Sequence, residues 1–230
     1  MIPLIIIPAR GGSKRHPGKN IKLLKGKPLI YYTIETARKV FEDQYIYVST
    51  DSLEIKHITE KSGLKVPFLR PDNLATDIAN SRDVILHAMN QFKLVNKNKD
   101  PEIIVLLQPT SPMRNALHIE EALKLYTNDL DMVVSVKKTN VNPYDVLFEE
   151  NEDGFLRKFI ERNSIQIKDC KTFWKKNGAI YIINPVSIRD KPIEKFEKVI
   201  KYEMDYLSSI DIDTNSDWEN AQSHLKNLYK

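Results

Sequence analysis

The residues best suited to chemistry lie near opposite ends of the chain. Close to the start, PARGGSKRHPGKN (residues 8–20) follows a short apolar run and gathers Arg10, Lys14, Arg15 and Lys19 around Gly11, Gly12 and Gly18. Glycines after a strand let backbone N–H groups turn toward an anion, and arginine grips phosphate through paired hydrogen bonds. A Walker loop would read GxxxxGK followed by Ser or Thr. Here Gly12 and Gly18 stand one residue too far apart, and Asn20 replaces the hydroxyl residue. The dinucleotide pattern GxGxxG is absent too, because Gly11 and Gly12 are adjacent. Taken alone, such a loop reads as a solvated basic turn. Its place at the C-terminal end of the first strand, where open α/β sheets bind ligands, favours an anion site.

Near the other end, SSIDID (208–213) alternates apolar and acidic residues. In a strand that spacing puts Asp211 and Asp213 on one face and Ile210 and Ile212 on the other. Two carboxylates on one face suit a hard cation such as Mg²⁺, which takes oxygen ligands and shares them with phosphates. On alternation alone, a half-buried edge strand with solvated aspartates is the better reading. Asp51, just before a helical pattern, reads as an N-cap. The five histidines form no cluster and Cys170 has no catalytic context. His16 reads as a solvated loop side chain, and the other four, in helical patterns, as structural.

These residues need a scaffold. Short apolar, β-branched runs recur at 3–7, 45–50, 66–69, 102–108, 131–136, 178–183 and 208–213. Runs with little alternation suit strands buried on both faces. Helical patterns lie between the early ones: one opening at Pro28, one closing at Gly63, and others over 81–92, 116–126 and 216–229. Alternating strands and helices predict a parallel, doubly wound α/β sheet. Residues 139–174 break the alternation, and LFEENEDGFL (147–156) predicts a hairpin. The chain suits one domain, 1–230, with 139–174 as an insertion.

Composition bounds the function. A net charge of +4, spread through the chain, suits an anionic small substrate and is too weak to argue for nucleic acid. One cysteine permits no intrachain disulfide. No signal peptide and no run of membrane-spanning length is visible, so a soluble, cytoplasmic protein is expected.

Several motifs in order carry a resemblance: PARGGSKRHPGKNIKLLKGKPLIYYTI, VSTD (48–51), RPDNLATD (70–77), LLQPTSPMR (106–114), NGAIYI (177–182) and IDIDT (210–214). The sequence resembles the sialic acid-activating cytidylyltransferases, the CMP-nonulosonate synthetases, over nearly its whole length. The resemblance implies a Rossmann-like three-layer sandwich of the nucleotide-diphosphosugar transferase type. It implies a reaction of CTP with a nine-carbon keto-sugar acid, giving a CMP-sugar and pyrophosphate. Ala9, Arg10, Lys19, Asn20, Arg70 and Ser81 are then expected on the nucleotide, and Gln108, Asn177 and Tyr181 on the sugar. Asp211 and Asp213 would hold Mg²⁺, with Mn²⁺ as a substitute, and share the catalytic role with Arg10 and Lys19. The resemblance also implies a homodimer whose arm, residues 139–174, reaches the partner.

The sugar half departs from the pattern. Ile167, Lys168 and Asp169 stand where relatives carry an Arg–Gln–Asp block, and Asp145 replaces a common lysine. A sialic, pseudaminic or legionaminic acid all remain open as substrate. Two rivals are a 3-deoxy-octulosonate cytidylyltransferase, whose QGDEP motif is QPTSP here (108–112), and a non-catalytic nucleotide-binding protein.

Overall fold

The run PLIIIP forms the first strand, β1 (Pro3–Pro8), and its side chains divide between two cores. Ile5 and Ile7 enter one and Leu4 and Ile6 the other, as the two-residue period of a strand requires. A strand apolar on both faces must be covered on both, and it is. In this computed structural model, which describes residues 2–12, 17–76, 79–144, 146–158 and 172–228, helices lie on either side of the sheet.

The main sheet has six strands in the order β10-β6-β9-β5-β1-β4. The others are β4 (Ile46–Ser49), β5 (Ile103–Leu107), β6 (Met132–Thr139), β9 (Phe173–Ile183) and β10 (Val199–Glu203). β1 pairs in parallel with β4 and β5, and β6 with β10. Helices α1 (Leu29–Arg38), α2 (Leu53–Lys61) and α4 (Ala116–Lys124) cover one face through Ile30, Ile34, Ile55 and Ile119. Helices α3 (Ser81–Val95) and α5 (Pro185–Asp190) cover the other through Ile85, Met89, Phe92 and Ile188. Each fully buried side chain of this kind contributes about 1.5–3 kcal/mol. This is the expected three-layer α/β/α sandwich.

A third cluster joins Trp218, Ala221 and Leu225 of α6 (Asn215–Leu228) to Ile210, Ile212, Leu24 and Leu29. Leu24 belongs to a two-stranded ribbon of β2 (Leu23–Leu24) and β3 (Lys27–Pro28). The C-terminal helix thus presses the segment carrying both aspartates against the loop that follows β1.

The sheet departs from the expectation in four ways. β9 runs antiparallel to both neighbours, β5 and β6. Parallel strands need a crossover, usually helical. The 139–172 connection between β6 and β9 begins instead with an antiparallel hairpin, β7 (Phe148–Glu150) with β8 (Leu156–Lys158). That hairpin is the one read from the sequence. Residues 66–69 form no strand, although Val66 and Phe68 are buried. Residues 210–213 form none either: the Ile212 N–H bonds the Thr110 carbonyl at 2.8 Å, in a loop rather than a ladder. β10 was not foreseen. It is an edge strand with one buried residue, Tyr202, so it lacks a continuous apolar run.

Candidate active site

A cleft of about 390 Å³ opens at the C-terminal ends of β1 and β5. Its walls include Arg10, Lys19, Asn20, Arg70, Ser81, Gln108, Tyr181, Asp211 and Asp213, drawn from six separated stretches of chain. Ligands of open α/β sheets bind at this edge. Of the expected site residues, only Ala9 and Asn177 do not line it.

The basic wall is built by the loop after β1. The Ala9 methyl is fully buried in the core and its N–H donates to the Ser49 carbonyl at 2.9 Å, which ties the start of the loop to β4. Gly11 N–H donates to Asp51 Oδ1 at 3.0 Å. Asp51 is therefore not the N-cap expected: Ser52 caps α2 by accepting from the Ile55 N–H, while Asp51 holds the loop. Asp51 Oδ1 also lies 3.5 Å from the Arg70 guanidinium. Arg70 is 5% exposed, and its Nε has no hydrogen-bond partner among the described residues. Burial lowers its pKa, with Asp51 opposing the shift. A buried cation with spare donors at the cleft wall is equipped for an anion. Lys14, Arg15 and His16 lie outside the described residues.

Asn20 is buried, and its amide donates to the Arg10 carbonyl at 3.1 Å, which fixes the loop's two arms. Gly18 has φ +67°, a conformation that favours glycine, and turns the chain so that Lys19 crosses the cleft. Lys19 Nζ contacts Asp213 Oδ1 at 2.9 Å and the Ile212 carbonyl at 3.0 Å. The two ends of the chain meet at this ion pair.

Opposite stands Asp211. Ile210 and Ile212 are buried in the third cluster while Asp211 and Asp213 face the cleft, so the expected alternation survives without a strand. Asp211 Oδ1 is buried and has no hydrogen-bond partner among the described residues. Burial pushes its carboxyl above the usual carboxylate range; a hydrogen bond with Thr110 opposes this and the Asp213 charge adds to it. Gly178 has φ +79°, and a Cβ there would stand 3.3 Å from Asp211 Oδ2. The glycine makes room for the carboxylate. Among the described residues no set of three metal-ligating side chains gathers, so a cation here would complete its shell with phosphate oxygens and water, as Mg²⁺ does. An orphaned buried carboxylate oxygen beside a second carboxylate fits such a cation.

Gln108 and Tyr181 form the wall beyond the aspartates. Asn177, expected beside them, does something else. It is 3% exposed; its Oδ1 accepts from Ser135 Oγ at 2.6 Å and the Ala179 N–H at 3.2 Å, and its Nδ2 donates to Ser209 Oγ at 2.9 Å. The β6–β9 register slips at this point: Val134 faces Tyr181 but Val136 faces Lys176. Asn177 fills the resulting bulge and holds Gly178 beneath Asp211. Its amide is engaged within the protein, and it borders a second, adjoining hollow rather than the cleft. Ser81, the first residue of α3, is at the cleft as expected.

Arg114, behind the cleft wall, is a buried positioning residue that sequence reasoning missed. It is 2% exposed, donates to the carbonyls of Ala179 at 2.7 Å and Gln108 at 3.1 Å and to Thr33 Oγ1 at 2.7 Å, and burial lowers its pKa to about 9. It ties the end of β5 to the β9 bulge. A lone arginine closing the apolar motif LLQPTSPMR was the available signal.

The fold defines the class. The structure aligns with CMP:2-keto-3-deoxy-manno-octonic acid synthetase complexed with CTP at a TM-score of 0.70, covering 99% of this chain and 100% of that one, at 19% identity, which shows a shared fold. The chain itself belongs to the cytidylyltransferase family, whose model matches residues 4–227. It is 34% identical over 98% of its length to N-acylneuraminate cytidylyltransferase of Streptococcus agalactiae, and spans 54% of that protein. It is also 34% identical over 94% of its length to CMP-N,N′-diacetyllegionaminic acid synthase of Legionella pneumophila, spanning 92% of that protein. The chain thus covers about half the length of the first relative and nearly all of the second. No helix among the described residues is long and apolar enough to cross a membrane.

Proposed function

We propose that this chain joins CTP to a nonulosonate, a nine-carbon keto-sugar acid, releasing pyrophosphate and a CMP-sugar. The observation that carries this is the arrangement of the cleft: basic groups on one wall, uncharged polar groups on the other, and a carboxylate pair between. The relatives' chemistry agrees with that division.

Arg10 and Lys19 hold the phosphates that leave, with Asn20, Arg70 and Ser81 on the rest of the nucleotide. Gln108 and Tyr181 orient the sugar so that its anomeric hydroxyl attacks the α-phosphorus opposite the leaving pyrophosphate. Holding two reactants in line replaces a bimolecular encounter and supplies much of the rate. Asp211 and Asp213 would hold Mg²⁺, for which Mn²⁺ would substitute, and neither aspartate forms a covalent bond. Such a cation would supply neutralisation of phosphate charge.

Pyrophosphate release, measured with N-acetylneuraminate, N,N′-diacetyllegionaminate and a pseudaminic acid in turn, tests the reading. Release is expected only with CTP, one of these acids and a divalent cation together. Equal release without sugar, or undiminished release in excess chelator, sinks it. The acid giving the highest kcat/KM identifies the substrate.

A further inference from the structure

Behind the aspartate pair lies a second hollow of about 230 Å³, which shares Asp211 and Asp213 with the cleft and is walled by Lys137, Lys175, Lys176 and Tyr206. Lys137 and Lys175 are direct partners across β6 and β9, so their side chains leave the same face of the sheet. Like charges so placed repel. Lys137 rests with Nζ 5.2 Å from the Tyr206 ring centroid, and neither lysine makes an ion pair with a described residue. Two of the three acidic neighbours, Asp213 and Asp217, are otherwise engaged, while Asp211 keeps an unpartnered oxygen among the described residues. Asp213 is bound to Lys19 at 2.9 Å. Asp217 accepts from the Asp213 and Thr214 N–H groups at 3.1 and 2.8 Å, and feels the Lys137 charge only at longer range. A repelling lysine pair lining a concave site is a place prepared for an anion.

The reaction proposed above supplies one. In the ring form of a 2-keto-sugar acid, a single carbon bears both the attacking hydroxyl and the carboxylate. When that hydroxyl reaches the α-phosphorus beside Asp211, the carboxylate comes close to the aspartate pair, whose cation is shared with phosphate, so a further positive charge favours its binding. The sugar wall of the cleft, with Gln108, Thr110, Gly178 and Tyr181, offers none. Lys19 faces Asp213 and Arg70 faces Asp51 on the nucleotide side. Among the described residues, the adjoining hollow supplies lysines that form no ion pair. We propose that Lys137 and Lys175 bind the carboxylate of the sugar acid and are specificity residues of this chain. The inference rests on the cytidylyltransferase reading.

The test compares initial rates of the wild-type protein, Lys137→Gln, Lys175→Gln and the double variant, with N-acetylneuraminate or N,N′-diacetyllegionaminate, whichever the wild type uses, and with the methyl ester of that acid. Each hydrogen bond to a charged group is worth about 10-fold or more. Each single variant should therefore raise KM for the acid by about 10-fold, and the double variant by more, while KM for CTP stays within about twofold. The wild type should prefer acid to ester strongly, and the double variant should lose that preference. Lys175→Arg should keep it. The variants relieve repulsion, so thermal midpoints should hold or rise, which separates lost recognition from lost folding. Unchanged KM for the acid, or an intact acid-over-ester preference in the double variant, overturns the assignment and leaves the functional reading standing. A wild-type protein that releases no pyrophosphate with any nonulosonate overturns both.

Discussion

At the scale of single residues, Asp211 concentrates the conflict between stability and use. Its carboxyl is buried and pushed upward in pKa by that burial. A carboxylate whose folded pKa exceeds its unfolded value costs stability wherever it is ionised, and that cost eases as pH falls through the folded pKa. Asp211→Asn removes the buried charge at constant shape. In cation-free buffer at neutral pH its thermal midpoint should equal or exceed that of the wild type. Its turnover, and that of Asp213→Asn, should fall by about 10²–10³-fold. Calorimetry and pyrophosphate release measured on the same samples check both halves; wild-type turnover at low Mg²⁺ concentration would remove Asp211 from the site. Residues of this kind were legible in the sequence because each sits in a short motif with its own spacing. Asp51, Asn177 and Arg114 also sit in such motifs, but what they hold was not legible. Their partners, Gly11, Ser135 and Ala179, stand 40, 42 and 65 positions away, and no local pattern announces such a contact.

At the scale of elements, the sheet's weakest edge is fastened by a carboxylate. Asp131, immediately before β6, accepts from Ser187 Oγ at 2.6 Å and from the N–H groups of Glu197 and Lys198 at 2.9 and 3.0 Å. These bonds draw α5 and the approach to β10 onto the start of β6. They hold the Asp131 carboxyl well below the usual carboxylate range, the Ser187 hydrogen bond most of all. For a depressed pKa the stabilisation is present above the unfolded value, about 4, and is lost as pH falls through the folded one. Asp131→Ala should cost about 3 kcal/mol at pH 7, since two backbone donors lose a charged acceptor. The variant's urea midpoint should also change less between pH 7 and pH 3 than the wild type's. An unchanged midpoint at pH 7 would show that the edge is held elsewhere. The same region explains which strands the sequence revealed. β1, β5 and β6 are buried on both faces and read as apolar runs. β10 carries one buried residue and borrows its order from Asp131 and β6, so its own sequence says little. Residues 66–69 mislead in the opposite sense: Val66 and Phe68 are apolar for the core, but no strand lies beside them.

At the scale of the whole molecule, the hairpin β7–β8 is what this chain leaves uncovered. Phe148 is 49% exposed, and Phe155 and Leu156 are each 70% exposed. A two-stranded hairpin is marginal in water without a covered apolar face, and among the described residues nothing covers these side chains fully. We expect a two-fold homodimer with this arm at the contact. Sedimentation at micromolar concentration should give about twice the 26.7 kDa chain mass, and Phe155→Asp should weaken association by about 10-fold or more. A wild-type monomer with full activity would show the arm serves something else. Phe159 and Ile160, which continue the apolar pattern of the insertion, lie outside the described residues, as does Cys170.

The ion pair between Lys19 and Asp213 has a further consequence. As long as each satisfies the other, neither is fully available to a ligand. For Lys19 to reach a phosphate it must let go of Asp213, and an Asp213 so released is a better partner for a divalent cation. Occupancy of the two subsites is then thermodynamically linked, and linkage is reciprocal: whatever factor the nucleotide adds to cation affinity, the cation returns to the nucleotide. Lys19→Met breaks the link from one side. It should bind Mn²⁺ more tightly than the wild type in the absence of nucleotide, by about 5-fold or more, while losing affinity for CTP. Titration followed by the paramagnetic resonance of free Mn²⁺ reads the first effect directly. Equal Mn²⁺ affinity in the two proteins would mean that Lys19 guards nothing, and that the pair is a strut between the two ends of the chain.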